Sequence, residues 1–590
     1  MVDERSEIGD EYKWDLEDMY SSEEEWSKEF KQVKGQVEDF DKFEGTTADS
    51  PERLNDVLEE RFGLDRRIEN LKKYAFMLRD QDTREQKPRE LVSKIKALNT
   101  EFEKSISFIE PEIVQNKSRV ENWLEEGKVD EYSFYLNDLF RMKQHKLTYQ
   151  ESRILASLGD VTDAAHETYS ILTNADLTFP EVERPEGDKV ELTQGNFTKF
   201  MKHQDREFRE KVFQEMYGTF SNYRNTITTT LEKNVNKNVR EAEIKDFDSA
   251  RQASTKPDKI SESVNDNLIE AVRENLDLFQ RHLELKEKTL GLEELEMHDI
   301  YMPVADSESP EIEYEDAKEH ILEALKPLGE DYVEQVREGL ENGWVDVYEN
   351  KGKRSGAYSG GSYDSKPYIL LNYQNDVSSM FTLAHELGHS MHSKLSSENQ
   401  AYHESGYTIF QAEVASTTNE ALLTKHLLET VEDKEFRMHV LSYALEKFRG
   451  TVFRQTMFSE FEKWIHEEIE SGEALSPDKL DEKYLELKKN YYQRAEVGNT
   501  ISREWMRIPH FYYNFYVYKY ATGLSAGTVL SQKILEEGPE DYLDFLEKGG
   551  SQYSLESLKE AGADLTTSRP VEKAMEEYEM YLEKAEEEIS

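Results

Sequence analysis

The chain has 590 residues, enough to bury a large core and to divide into two or more domains or subdomains. A net charge of −50 and an isoelectric point near 4.7 exclude nucleic acid and anionic membrane surfaces as expected partners, because both demand clustered Lys and Arg. Charged residues make up 34%, yet 32 Tyr, 27 Phe and 6 Trp are too many aromatics for a disordered polyelectrolyte, and 28 Gly and 14 Pro are few enough to favour a mainly α-helical protein.

The chain contains no cysteine, so disulfides are excluded and no redox compartment is implied. The first residues, Met1-Val2-Asp3-Glu4-Arg5-Ser6-Glu7, are acidic and lack an apolar signal core, and no stretch approaches 18 uninterrupted apolar residues. The expectation is a cytoplasmic protein without a membrane span. Its carboxylate-rich surface suits a salt-screened environment, although the excess of Glu over Asp and the abundant Lys suit an ordinary acidic cytosolic helical protein equally.

From about Ser21 to Ala175 the apolar spacing predicts successive amphipathic helices, over Ser22–Phe40, Pro51–Leu78, Arg84–Phe108 and Pro111–Trp123. Residues 178–192 carry two prolines and a glycine and read as a hairpin or linker, with helices resuming near Asn196. This sets an expected boundary between an N-terminal helical domain, 1–195, and a catalytic domain, 196–590. Long helical patterns follow over 198–241, 261–290 and 314–342. Between Gly352 and Tyr373 the composition changes: Ser355-Gly356-Ala357-Tyr358-Ser359-Gly360-Gly361-Ser362 reads as a Gly-rich turn or edge, and Pro367-Tyr368-Ile369-Leu370-Leu371 as a strand. An edge strand there could hold an extended peptide by backbone hydrogen bonds, or be a plain structural hairpin. The segment from Arg569 reads as a charged helix with a solvated face.

Directly after the small sheet stands His385-Glu386-Leu387-Gly388-His389. On a helix, residues four apart lie on one face about 6 Å apart, so two imidazoles at this spacing can converge on one zinc ion. Glu386 would sit near the metal's open position and take a proton from a water acidified by the cation. With 14 His and many Glu in the chain, a chance match is a real risk, and context decides. Residues 377–384 contain no Gly or Pro, Met380, Leu383, Ala384, Leu387 and Met391 recur at helical steps, and Asp376 or Ser378 could cap the start.

A catalytic zinc with two histidines needs a third protein ligand and keeps a fourth position open. A metzincin would need Gly and His at 392 and 395, where this chain has His392 and Leu395. A gluzincin takes a Glu from a later helix, and Glu413 follows His389 by 24 positions (413 − 389), among small Ala412, Ala415 and Ser416 that would let two helices approach. Glu398, Glu404 and Glu420 compete for the role on spacing alone. Glu420, two turns from Glu413 on one face, also suits a carboxylate that accepts an imidazole N–H. Farther on, residues 508–523 are dense in phenols; as one helix they would align Tyr513, Tyr516 and Tyr520 within an arc of about 60°. Such a row packs a core, or donates to an oxyanion beside a metal.

Several motifs together resemble the oligoendopeptidase F family, within the M3 (thimet-type) zinc metallopeptidases, over nearly the full length. They are Tyr12-Lys13-Trp14-Asp15-Leu16, Arg354-Ser355-Gly356-Ala357-Tyr358, the His385–His389 helix, Phe410 to Thr417 with Asn419-Glu420, and the block from His510 to Gly523. The resemblance implies one zinc ion per chain held by His385, His389 and Glu413, Glu386 as base and acid, and His510 and Tyr520 as transition-state donors, with Tyr513 and Tyr516 carried over less directly. It further implies a two-lobed helical gluzincin fold with a small β-sheet beside the active-site helix and a deep channel that admits oligopeptide substrates. His392 reads as a structural neighbour of the ligands, with substrate contact as the alternative, and Ser405-Gly406-Tyr407 resembles a mobile loop, the alternative being an interhelical turn. Two other functions compete: a non-catalytic peptide-binding protein whose metal is a staple, and a carboxypeptidase on the same scaffold. A structural zinc normally has four protein ligands, often Cys, whereas three ligands and an adjacent base favour an endopeptidase.

Overall fold

A computed structural model describes residues 2–305, 307 and 309–589. Helix starts follow side-chain chemistry written in the sequence. Ser22 accepts from the Glu25 amide at 3.3 Å to open Glu23–Glu38, and Ser50 accepts from Arg53 at 3.2 Å, with Pro51 at the first position, to open Pro51–Gln81. These helices and Gln86–Ile106 match the spacing prediction to within a few residues. Four expected helices are interrupted. The pattern over 261–290 divides at Asn275 into Glu262–Glu274 and Leu276–Thr289, and that over 314–342 divides around residues 326–329 into Tyr314–Ala324 and Glu330–Glu341. Asn116 divides 109–125 into Ile109–Gln115 and Lys117–Glu125, and 194–244 becomes three helices, Gln194–Phe200, Arg206–Ser221 and Arg224–Ile244. In the latter, Asp205 caps a new helix by accepting from the Phe208 amide at 2.8 Å, a local bond that competes with helix continuation. The expected hairpin is present, with Glu181–Glu183 antiparallel to Lys189–Glu191.

By compactness the chain falls into two units, one comprising Met1–Tyr149, Glu311–His426 and Leu530–Gly562, the other Gln150–Pro310, Leu427–Val529 and Ala563–Ser590. This grouping interleaves the chain, whereas the expected boundary at 195 follows chain order.

In the first unit, the N-terminal helices share a core in which Trp26, Leu54, Leu71, Ile95 and Ile113 are buried, and Trp26 donates its indole N–H to the Leu71 carbonyl at 3.0 Å. Tyr368 and Leu370 of the three-stranded sheet belong to the same core. The central strand, Tyr368–Leu370, pairs in parallel with Val345–Asp346 and antiparallel with Tyr358–Gly360, so the Gly-rich segment forms an edge. Burying apolar side chains at roughly 25 cal/mol per Å² anchors this sheet to the N-terminal helices. Helix Val377–Asn399 packs on it, opened by Asp376, which accepts from the Ser379 amide at 2.7 Å. The sequence left Asp376 and Ser378 as alternatives; the cap is Asp376.

The second unit is built from long helices, among them Arg224–Ile244, Lys434–Phe448, Arg454–Glu470 and Arg569–Ile589. The last of these corrects an expectation. Val571, Ala574, Met575, Tyr578, Tyr581 and Leu582 are buried, and the helix packs on Lys434–Phe448 and Leu276–Thr289. Its many glutamates hide the three- and four-residue spacing of an apolar face. No helix among the described residues is long and apolar enough to cross a membrane.

Candidate active site

His385, Glu386 and His389 lie in the body of helix Val377–Asn399, and Glu413 and Glu420 on helix Ile409–Thr430. The two helices nearly touch at Gly388, where a Cβ would stand 2.6 Å from Ser416 Cα and 2.7 Å from the Ala415 carbonyl oxygen. Only a residue without a side chain permits that approach, and the small residues at 415 and 416 supply the other half of it. Buried Asn419 ties the pair by donating to the Ala384 carbonyl at 3.2 Å.

The close approach gathers one ligand atom from each of His385, His389 and Glu413 within 4.8 Å of one another. The two imidazole Nε2 atoms are 3.2 Å apart, and His385 Nε2 lies 3.8 Å from Glu413 Oε2. Such crowding of two imidazole nitrogens and a carboxylate oxygen is the donor set a divalent cation takes, so these residues fit a metal. On the far side of the ring, His385 Nδ1 is 2.5 Å from Glu420 Oε1, which fixes the tautomer that turns Nε2 toward the cluster. His389 bonds to the backbone of Ala412, and burial together with neighbouring His385 pulls its pKa down to about 3, keeping it neutral. Of the competing carboxylates, Glu398 pairs with Lys394 and Glu404 lies on the short helix Tyr402–Ser405.

Glu386 is 7% exposed. Burial pushes its carboxyl up to about 7, opposed by His385 and by a backbone hydrogen bond from Ser359, and reinforced by Glu413 and Glu420. A cation at the cluster would pull it down again. Ser359 is in the edge strand, and its hydroxyl meets that of Ser390 at 2.8 Å, so this one residue joins the strand to the helix at Ser390 as well as at Glu386. Neither serine was identified from sequence; Ser359 sat within a recognised Gly-rich run, but nothing marked its pairing with Ser390.

His392 is fully buried and outside the ligand cluster, and among the described residues neither ring nitrogen has a hydrogen-bond partner. Tyr407 stacks on it with ring centroids 3.6 Å apart and planes 7° apart, and the Tyr407 hydroxyl meets Ser393 at 2.8 Å. The Ser405–Tyr407 segment is held at its start as well, since Ser396 donates to the Ser405 carbonyl at 2.6 Å and the Gly550 amide to that of Glu404 at 2.7 Å. It is a tethered turn between helices.

In the second unit, the phenol block is not one helix. A 3-10 turn over Pro509–Tyr512 ends in an irregular stretch, Phe515 adopts φ +49°, and an α-helix begins only at Tyr518. The arc expected for a continuous helix is therefore wrong, yet the rings converge. The His510 ring centre lies 6.0 Å from that of Tyr516, and the ring centres of Tyr516 and Tyr520 lie 5.3 Å apart. Tyr520 Oη is 3.4 Å from His510 Nε2, and Tyr513, 45% exposed, stands at the edge of the group. Burial, helped by the Arg454 cation, lowers the His510 pKa.

Comparison with known proteins identifies the family to which the chain belongs. The model of peptidase family M3 matches residues 199–577, and that of oligopeptidase F matches residues 114–179. The chain is 42% identical to oligopeptidase PepF of Bacillus subtilis, over 99% of this chain and 88% of that one. It is 40% identical to the group B oligopeptidase PepB of Streptococcus agalactiae, over 99% and 98%. The crystal structure of oligoendopeptidase-F from Enterococcus faecium superposes with a TM-score of 0.75 at 34% identity, covering 96% of this chain and 99% of that one. On these matches the chain belongs to peptidase family M3, in its oligoendopeptidase F group, and is a metalloendopeptidase.

Proposed function

We propose that the chain is a zinc-dependent endopeptidase that cuts internal bonds of short oligopeptides. The observation that carries the reading is the convergence of His385, His389 and Glu413 within 4.8 Å, with the buried carboxylate of Glu386 beside the first ligand. Two imidazoles, one carboxylate and no thiolate suit zinc at a catalytic rather than a structural site. The relatives' names, oligopeptidase and oligoendopeptidase, support the substrate class. Bound zinc would polarise the scissile carbonyl and acidify a water molecule. Glu386 accepts that water's proton and returns it to the leaving amine, a double task suited to a carboxyl whose burial raises its proton affinity. Glu420 holds His385 in its ligating tautomer, and His392 supports the helix from behind, packed on Tyr407. His510 and Tyr520, with Tyr516 and Tyr513 beside them, supply hydrogen bonds to the oxyanion. We also propose 196–590 as the catalytic domain in descent, a division supported by the matched segments ending at 179 and starting at 199.

The test is product analysis by mass spectrometry on peptides blocked at both ends, before and after metal stripping and zinc restoration. Internal cleavage that vanishes on stripping and returns with zinc is expected. Cleavage confined to free C-termini would make the enzyme a carboxypeptidase, and metal binding without any cleavage would make it a peptide-binding protein. Size selection is read alongside: unstructured short peptides should be cut while denatured casein stays largely intact.

A further inference from the structure

Beneath the turn that carries Tyr513 and Tyr516 lies a carboxyl group that the proposed chemistry does not use. Phe515 holds φ +49°, a left-handed conformation that is strained for a bulky L residue. Its side chain is 1% exposed, with the ring 4.6 Å from that of His466. The Phe515 amide donates to Glu462 Oε1 at 2.7 Å, and Glu462, on helix Arg454–Glu470, is fully buried. Its other oxygen has no partner among the described residues. The preceding residue is tethered too: Ser254 donates to the Asn514 carbonyl at 2.8 Å, and Asn514 donates its side-chain amide to the Ala250 carbonyl at 3.3 Å.

A strained conformation persists only where its surroundings fix it. Here a buried acceptor is aimed at the amide of the strained residue, and Tyr513 and Tyr516, which flank the Asn514-Phe515 pair, both bring their rings to His510, Tyr516 also meeting Tyr520. We infer that Glu462, through the amide of Phe515, fixes the left-handed turn that sets Tyr513 and Tyr516 against His510 and Tyr520, and is thereby a positioning residue for the transition-state donors. The inference rests on the donor role proposed above. Misplacing a donor by about 1 Å is enough to cost a large factor in rate, so an anchor outside the donor group itself acts on turnover. Burial pushes the Glu462 carboxyl up to about 8, against the pull of the Phe515 hydrogen bond and Lys519. A glutamine would present the same acceptor.

The experiment compares Glu462→Gln with Glu462→Leu, which keeps the bulk and removes the acceptor. In Glu462→Leu, kcat should fall by about tenfold or more with KM within about twofold, while bound zinc is unchanged; Glu462→Gln should stay within about twofold of wild type. Tyr516→Phe should cost less in the Glu462→Leu background than alone, since both act through one cluster. Should Glu462→Leu not fold, Ser254→Ala loosens the same turn at its other tether and should lower kcat by about threefold. Wild-type kcat in folded Glu462→Leu, or in Ser254→Ala as its substitute, overturns the inference. So does equal damage in the Gln and Leu variants, or strict additivity with Tyr516→Phe. If kcat is instead unchanged in Tyr516→Phe, Tyr520→Phe and a His510→Gln variant alike, the donor reading itself falls and the role of Glu462 with it; a damaged Tyr520→Phe beside an undamaged Glu462→Leu removes only the latter.

Discussion

At Glu386, burial acts in the direction that its proposed role as a base requires. Removing the carboxyl from water raises its proton affinity, which favours accepting a proton, while a cation held beside it would lower that affinity and favour giving the proton back. Glu386→Gln keeps the volume and loses the acceptor. It should therefore retain zinc while turnover drops by about 10³-fold or more, checked by metal analysis and kcat on one preparation. Near-normal hydrolysis would end the assignment of Glu386 as the base. Tyr520 separates chemistry from packing in the same way. Deleting its hydroxyl should lower kcat by about 10²-fold with KM little changed if it donates to the oxyanion, and should otherwise cost only about 1 kcal/mol of stability. Tyr518→Phe, buried elsewhere on the same helix, is the control.

The helices bearing the proposed ligands were legible because the features that build them are local: Asp376 for the cap, apolar residues at helical steps, and small residues where the second helix comes near. Glu420 could be read for the same reason, one face and two turns from Glu413. The phenol block could not. Its break at Phe515 depends on a carboxyl 53 positions earlier in sequence, a tertiary contact that overrides the helical pattern of residues 508–523. The Ser359–Ser390 pair was equally out of reach, since it depends on strand pairing placing one backbone against one helix. Gly388 gives the element-scale prediction. A Cβ at that position meets backbone atoms, which cannot swing aside as a side-chain end can, so Gly388→Ala must part the two helices. Zinc affinity should fall by about tenfold or more, as for loss of support around a ligand, and both kcat and thermal midpoint should fall with it. Gly406→Ala, where a Cβ meets nothing within 4 Å and φ is −74°, should leave zinc affinity unchanged. Unchanged affinity in Gly388→Ala would show that the ligand cluster tolerates helix separation.

Across the whole molecule, 124 carboxylates face 74 Lys and Arg, so even complete one-to-one pairing leaves 50 acidic groups without a cation (124 − 74). Two opposing effects of salt follow. The surface ion pairs, such as Lys87 with Glu23 at 2.9 Å and Lys146 with Glu110 at 2.8 Å, weaken as salt screens them, but each contributes only about 0–1 kcal/mol. The uncompensated charge repels itself throughout the folded surface, and folding brings those charges closer than they are in the extended chain. Screening shortens the Debye length from about 10 Å at 0.1 M to about 3 Å at 1 M, so added salt relieves the second effect over the whole surface while it erodes the first only pair by pair. The excess charge should win: between about 0.05 M and 1 M NaCl the thermal midpoint should rise by at least about 3 °C. Screening also predicts the shape of the curve, a steep rise below about 0.5 M and a plateau above it, equal for NaCl and KCl. A steady climb that continues to high concentration and is steeper in sodium sulfate would point to exclusion of salt from the protein surface. A falling midpoint would mean that the ion pairs, not the net charge, dominate the electrostatics of this fold.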